Sequence, residues 1–157
     1  MKKVLIALDY DPTAEKVAEG GYKLAKTMGA EVILLHVISD PIYYMSADYS
    51  PILDYTGSMN INPLQISTLE SLKTFSLDFL EKSRDHLGDP TIQIIIEEGD
   101  FAASILKTAK TLKADIIVMG SHSRKWLENI LMGSVTEEVL RQSTIPLFII
   151  PTRSKKN

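Results

Sequence analysis

The chain contains no cysteine, which excludes disulfides and thiolate metal sites and fits a reducing compartment. It also lacks any apolar run near the roughly 18 residues that a membrane-spanning helix requires. The opening Met1-Lys2-Lys3 leads directly into Val4-Leu5-Ile6-Ala7-Leu8, a run too short for a signal peptide and followed by no small-residue cleavage site. A cytoplasmic location is expected. Positive charge is not in excess either: the net charge is −3, whereas phosphate-backbone binding needs a concentrated basic face. Neither nucleic acid nor a membrane is expected as a partner.

What is present is an ordinary globular composition, 45% hydrophobic and 24% charged over 157 residues, enough for one domain with a continuous core. We place that domain at residues 1–152. The basic end, residues 153–157 with Arg153, Lys155 and Lys156, reads as a solvated tail.

Two kinds of segment alternate. Val4–Leu8, Val32–Val37, Ile92–Ile96, Ile116–Met119 and Leu147–Ile150 are short runs rich in β-branched residues, as expected of strands buried on both faces. Between them lie segments of helical spacing. Pro12-Thr13 opens the first, whose apolar stripe is Ala14, Val17, Ala18, Gly21, Leu24, Ala25 and Met28, and Gly29 closes it. Leu69, Leu72, Phe75, Phe79 and Leu80 form the second, between Asn62-Pro63 and Gly88; Ile105, Leu106, Ala109 and Leu112 form the third, with Asp100 as N-cap. Ser134-Val135-Thr136-Glu137 reads as a capping box opening a fourth helix, with Val135, Val139 and Leu140 as its apolar face. Strict alternation implies right-handed crossovers and a doubly wound α/β fold, a five-stranded parallel sheet with helices on both faces. In such sheets ligands bind beyond the carboxyl ends of the strands, where the strand order reverses.

Residues 39–62 break the pattern. They hold three acidic residues and no basic one, with Tyr43, Tyr44, Tyr49, Tyr55, Met45 and Met59. A connection of this length is either a mobile insertion or a lid.

After the fourth strand come Gly120-Ser121-His122-Ser123-Arg124 and, further on, Gly133-Ser134 at a helix start. Glycine allows close approach of phosphate oxygens, and a helix N-terminus presents unpaired N–H groups with a positive dipole end. Ser134 and Thr136 add hydroxyls and Arg124 a cation. Taken alone, Gly133-Ser134 is also what a loop ending in a capped helix looks like; Gly120 ending a strand and Asp9 ending the first strand favour an anion cradle.

The pattern resembles the universal stress protein family, whose ATP-binding members carry G-x2-G-x9-G-[ST] after the fourth strand. Here it reads Gly120-x2-Ser123-x9-Gly133-Ser134, with the second glycine replaced. The resemblance extends over almost the whole chain, through Val4–Asp9, His36-Val37, Gly99-Asp100, Ala114-Asp115-Ile116-Ile117-Val118-Met119-Gly120, Val139-Leu140-Arg141 and Ile145-Pro146. It implies a Rossmann-like sheet of order 3-2-1-4-5. By the same resemblance Asp9 would lie near the adenine or ribose, Val37 would meet the adenine through its backbone, and Met119-Gly120 would line the nucleoside. Ser123, Gly133, Ser134, Val135 and Thr136 would hold the phosphates of ATP, or of AMP or ADP, with Mg or Mn shared among phosphate oxygens. A left-handed conformation at Ser123 would cost on the order of 1 kcal/mol, while its hydroxyl could instead donate to a phosphate.

Several residues have plainer readings. Asp9 is also an ordinary turn residue, His36 a packed imidazole, and Trp126 with Leu127, Ile130 and Leu131 a set that packs the loop onto the sheet. His122 has no visible acid or nucleophile beside it. No His, Asp or Glu cluster shows metal-ligand spacing along the chain.

The function expected is therefore non-enzymatic nucleotide binding in stress response or signalling. The alternatives are an interaction protein of the same fold with a lapsed site, and a slow ATP hydrolase, against which stands the absence of a Walker G-x-x-x-x-G-K-[ST] motif. A phospho-acceptor receiver, suggested by Asp9 and Asp11, lacks an Asp after the third strand and a Lys near Ile145-Pro146. The last strand, within 146–151, is apolar and expected at a sheet edge, where it would pair with a second copy to form a homodimer.

Overall fold

In the computed structural model, residues 1–10, 12–39, 69–121 and 132–152 are described. Five strands, β1 (Lys3–Ala7), β2 (Glu31–Ile38), β3 (Gln93–Glu98), β4 (Ile116–Gly120) and β5 (Leu147–Ile150), form one parallel sheet of order β3-β2-β1-β4-β5. Among the described residues four helices cross over between them: α1 (Ala14–Met28), α2 (Leu69–Leu87), α3 (Phe101–Thr111) and α4 (Ser134–Gln142). The doubly wound fold and its strand order are those expected from the sequence.

The sheet has a core on each face because its strands are apolar at consecutive positions. Val4, Leu5 and Ile6 are all completely buried, yet they point alternately to opposite sides. Val4 and Ile6 pack with Val32, Leu34 and Val118 beneath α1 and α2, through Val17, Ala18, Leu72 and Phe79. Leu5 packs with Ile33, Leu35, Ile117 and Met119 beneath α3 and α4, through Ala102, Ile105, Ala109 and Val139. Each such side chain contributes roughly 1.5–3 kcal/mol relative to exposure.

Helix α1 lies close against the sheet because it carries glycine there. A Cβ on Gly21 would stand 2.6 Å from Ile6 Cδ1 and 2.9 Å from Cγ1, nearer than real Cβ contacts allow. The helix ends at Gly29, in the left-handed region with φ 64°, whose N–H reaches the carbonyls of Ala25 and Lys26.

The fourth helix differs from expectation in two respects. Gly133, extended at φ −65° and ψ 155°, occupies the N-cap, and Ser134 is the first helical residue, so no capping box forms. Glu137 instead pairs with Arg141 at 3.0 Å, one turn along. Leu140, expected on the buried face, is 48% exposed, and Val139 alone of the expected stripe is fully buried.

Candidate functional site

The strand order reverses between β1 and β4. The chain leaves β1 for β2 and β3 on one side, then returns to place β4 and β5 on the other. The pairs Val4↔Ile116, Leu5↔Ile117 and Ile6↔Val118 bring the carboxyl ends of β1 and β4, followed by Asp9 and ending in Gly120, to the same edge of the sheet. On its other flank β1 stops short: its last pair with β2 is Ala7↔Leu35, after which Leu8 N donates to the Leu35 carbonyl at 2.8 Å. Val37 lies beyond that pair, with its side chain in the core under α3.

A set of hydrogen bonds fixes the start of α4 against the end of β4. Gly133 N donates to the Ser121 carbonyl at 2.6 Å, and the Thr136 hydroxyl donates to the Gly120 carbonyl at 2.9 Å. Ser121 is in turn held by Ile150, whose carbonyl accepts from its N–H at 2.9 Å, and by Thr152, whose N–H donates to its hydroxyl at 3.0 Å. Thr136 is buried, so its hydroxyl braces the site and only its backbone N–H remains for an anion. The N-cap glycine has no side chain, and no side chain caps α4. Among the described residues, the first-turn N–H groups of Ser134, Val135 and Thr136 receive no bond from an N-cap side chain, and the helix start lies beside Gly120.

Met119 is buried on the α3 and α4 side of the sheet, directly before Gly120. Asp9 is half-buried and turns one carboxylate oxygen to its neighbour's N–H, Tyr10 N, at 2.8 Å. Ser123 and Arg124, with His122 and Trp126, lie outside the described residues, as do positions 40–62 of the tyrosine-rich segment and the tail 153–157.

Beneath the β1 turn sits His36, a residue read from the sequence as packing. Its Nδ1 donates to the Leu8 carbonyl at 2.8 Å, while the ring contacts Tyr10 at a centroid distance of 4.4 Å and Phe79 at 5.8 Å. The Tyr10 hydroxyl is hydrogen-bonded to Ser76 of α2. Burial pushes the His36 imidazole below its usual 6.5, against the opposing pull of the Asp9 charge and the Leu8 carbonyl. The ring is thus held neutral, which leaves Nε2 an acceptor, and that atom is buried without a partner.

The structure also assembles a group that linear spacing does not reveal. His86, in the last turn of α2, sets Nε2 2.8 Å from Glu15 and 2.6 Å from Glu19 on α1. Glu15 and Glu19 are four residues apart and share a helix face, but the histidine is 67 residues from Glu19, so only the packing of α1 on α2 unites them.

These features define a doubly wound α/β protein whose fourth helix starts beside the switch point from a glycine N-cap. The chain belongs to the universal stress protein family, whose model matches residues 1–151. Universal stress protein MJ0577 of Methanocaldococcus jannaschii is 32% identical over 157 residues, spanning 98% of this chain and 96% of the relative. A solved structure of MJ0577 aligns with TM-score 0.72, at 30% identity over 99% of this chain and 98% of that one. UspA from Lactobacillus plantarum has the same fold at TM-score 0.71, with 20% identity over 95% and 97% of the two chains. So does a universal stress protein solved in complex with cAMP, at TM-score 0.62 and 16% identity over 97% and 98%.

Proposed function

We propose that this universal stress protein is a non-enzymatic adenine-nucleotide-binding regulator, with ATP as the principal ligand and Mg or Mn bound through its phosphates. The observation that carries the reading is the start of α4: a side-chain-free N-cap and three first-turn N–H groups, braced at the switch point against Gly120 and Ser121. Such a terminus favours an anion both by its unpaired donors and by the helix dipole.

In this reading Gly133, Ser134, Val135 and Thr136 hold the phosphates through backbone N–H, joined by Ser123 and Arg124. Met119 and Gly120 line the nucleoside, Val37 offers its backbone to the adenine, and Asp9 stands near adenine or ribose. The metal neutralises phosphate charge. Bound nucleotide then alters conformation or dimer state in a cytoplasmic stress response. Calorimetry with ATP and Mg or Mn tests this, and an absence of adenine-nucleotide binding sinks it. Steady phosphate release that disappears in Gly133→Asp would replace the regulator with a slow hydrolase.

We further infer a homodimer through the last strand. It is supported by β5 lying at the sheet edge with Phe148 42% exposed, a combination that invites strand pairing. Sedimentation of Phe148→Lys is expected to show monomer; an unchanged dimer would remove this interface.

A further inference from the structure

We propose that Glu15, Glu19 and His86 form a binding site for one divalent first-row transition-metal ion, best matched by Zn²⁺, bridging α1 and α2 on the helical face of the molecule. The site is separate from the nucleotide reading and does not rest on it.

The chemistry of the donor set is the first argument. One imidazole nitrogen and two carboxylate oxygens, all within 4.8 Å of one another, are a ligand set that suits zinc and its neighbours. Two carboxylates and a neutral imidazole carry a formal charge of −2, which a divalent ion cancels. Nε2 coordinates in the neutral tautomer that keeps its proton on Nδ1, and the fourth position is left for water.

Geometry is the second argument. In a tetrahedral site with metal–ligand bonds of about 2.0–2.1 Å, neighbouring donors stand about 3.3 Å apart. The present Nε2 separations of 2.8 and 2.6 Å need to open only slightly. Both glutamates are more than half exposed, so small side-chain rotations suffice without moving the backbone.

The third argument is that the two helices are already pinned together beside the cluster. Just past the end of α2, Asp89 accepts from the Tyr22 hydroxyl at 3.0 Å and pairs with Lys26 at 3.0 Å, both on α1. Thr91 fixes the same carboxylate, donating its N–H to the second oxygen at 2.9 Å. Thr91, Lys26 and Tyr22 hold Asp89 well below the usual carboxylate range, so this anchor stays charged. The ion therefore meets ligands whose helices are positioned beforehand, which lowers the ordering cost of binding.

The test is titration of tag-free, chelator-treated, nucleotide-free protein with Zn²⁺ by calorimetry and with Co²⁺ by visible absorption. The expected result is one ion per chain with Kd on the order of 10 μM. His86→Ala and the double variant Glu15→Gln, Glu19→Gln should each weaken binding at least about tenfold, with circular dichroism confirming the fold. The His86 ring resonances should shift on addition of Zn²⁺. Saturable binding that persists in His86→Ala would place the ion elsewhere and overturn the proposal. So would wild-type protein that shows no saturable uptake.

Discussion

Helices α3 and α4 both start at the carboxyl edge of the sheet, yet they start differently. Asp100 caps α3, its carboxylate accepting from Ala103 N at 3.0 Å, so that helix start holds an acidic acceptor of its own. Gly133 caps α4 with no side chain at all. The difference follows position: α3 leaves β3 at the outer edge of the sheet, whereas α4 leaves β4 beside the switch point. Helix α1, which leaves β1 on the other side of that point, likewise has no side-chain cap bond at its start. A closed end stabilises the fold, and an open end reserves its donors.

The most direct way to break this comparison is to close the open end. Gly133→Asp supplies an acceptor and a negative charge where the phosphate is proposed, so ATP affinity should fall at least about tenfold, about 1.4 kcal/mol. The same substitution should leave the fold as stable as before or raise it, because Asp is a favourable N-cap. Calorimetric titration and thermal unfolding on one sample read the two opposite signs, and parallel losses would reduce the effect to misfolding.

Opening the closed end is the converse. Asp100→Ala should cost about 1 kcal/mol of stability, measured by denaturant unfolding, and leave nucleotide affinity unchanged. A drop in affinity would mean that the two starts are coupled.

A smaller change is expected at the far end of α3. Lys113 follows its C-cap in the left-handed region at φ 55°, where a side chain is strained. Lys113→Gly should raise stability by about 0.5–1 kcal/mol, detectable as a higher denaturant midpoint, again with no effect on binding.

The buried imidazole beneath Leu8 and Tyr10 supplies a pH test. The folded state holds His36 below 6.5, so the unfolded chain binds more protons as pH falls through that value. Stability from this residue is fully present above pH 6.5 and declines below it. His36→Gln should flatten that decline in unfolding measured between pH 7 and pH 5.5, and an unchanged slope would assign the acid sensitivity to other groups.

Much of this architecture can be read directly from the chain, and the reasons are physical. Strands buried on both faces must be apolar at consecutive positions, so Leu147–Ile150 is readable to the residue, and the others shift by only one or two positions at their ends. Asp100 is legible because a side-chain cap has a residue signature. The start of α4 is harder, since Ser134 and Glu137 imitate a capping box while Ser134 is already helical and the N-cap is the preceding glycine. Nothing local distinguishes the two, because Gly133 acts through what it lacks. The cluster of Glu15, Glu19 and His86 is invisible for another reason: two helices distant in sequence create it. Of the candidate site, Gly133 and Thr136 are bonded to Ser121 and Gly120 at the end of β4, Asp9 follows β1 and Val37 lies on β2 beside β3, while Ser123 and Arg124 lie outside the described residues.

The placement of β1 in the middle of the sheet has a consequence for how the protein is made. Its pairing with β4 joins positions 112 residues apart, as do the bonds between Lys3 and Asp115. On the ribosome, β1 can pair with β2 early, but its other side stays an open apolar strand edge until residue 116 and beyond have emerged. Closing so long a loop is entropically slow, and an unpaired central strand is a template for the wrong partner. Nascent chains halted before Ile116 should therefore be the aggregation-prone species, and release of β4 should mark the step at which they become soluble.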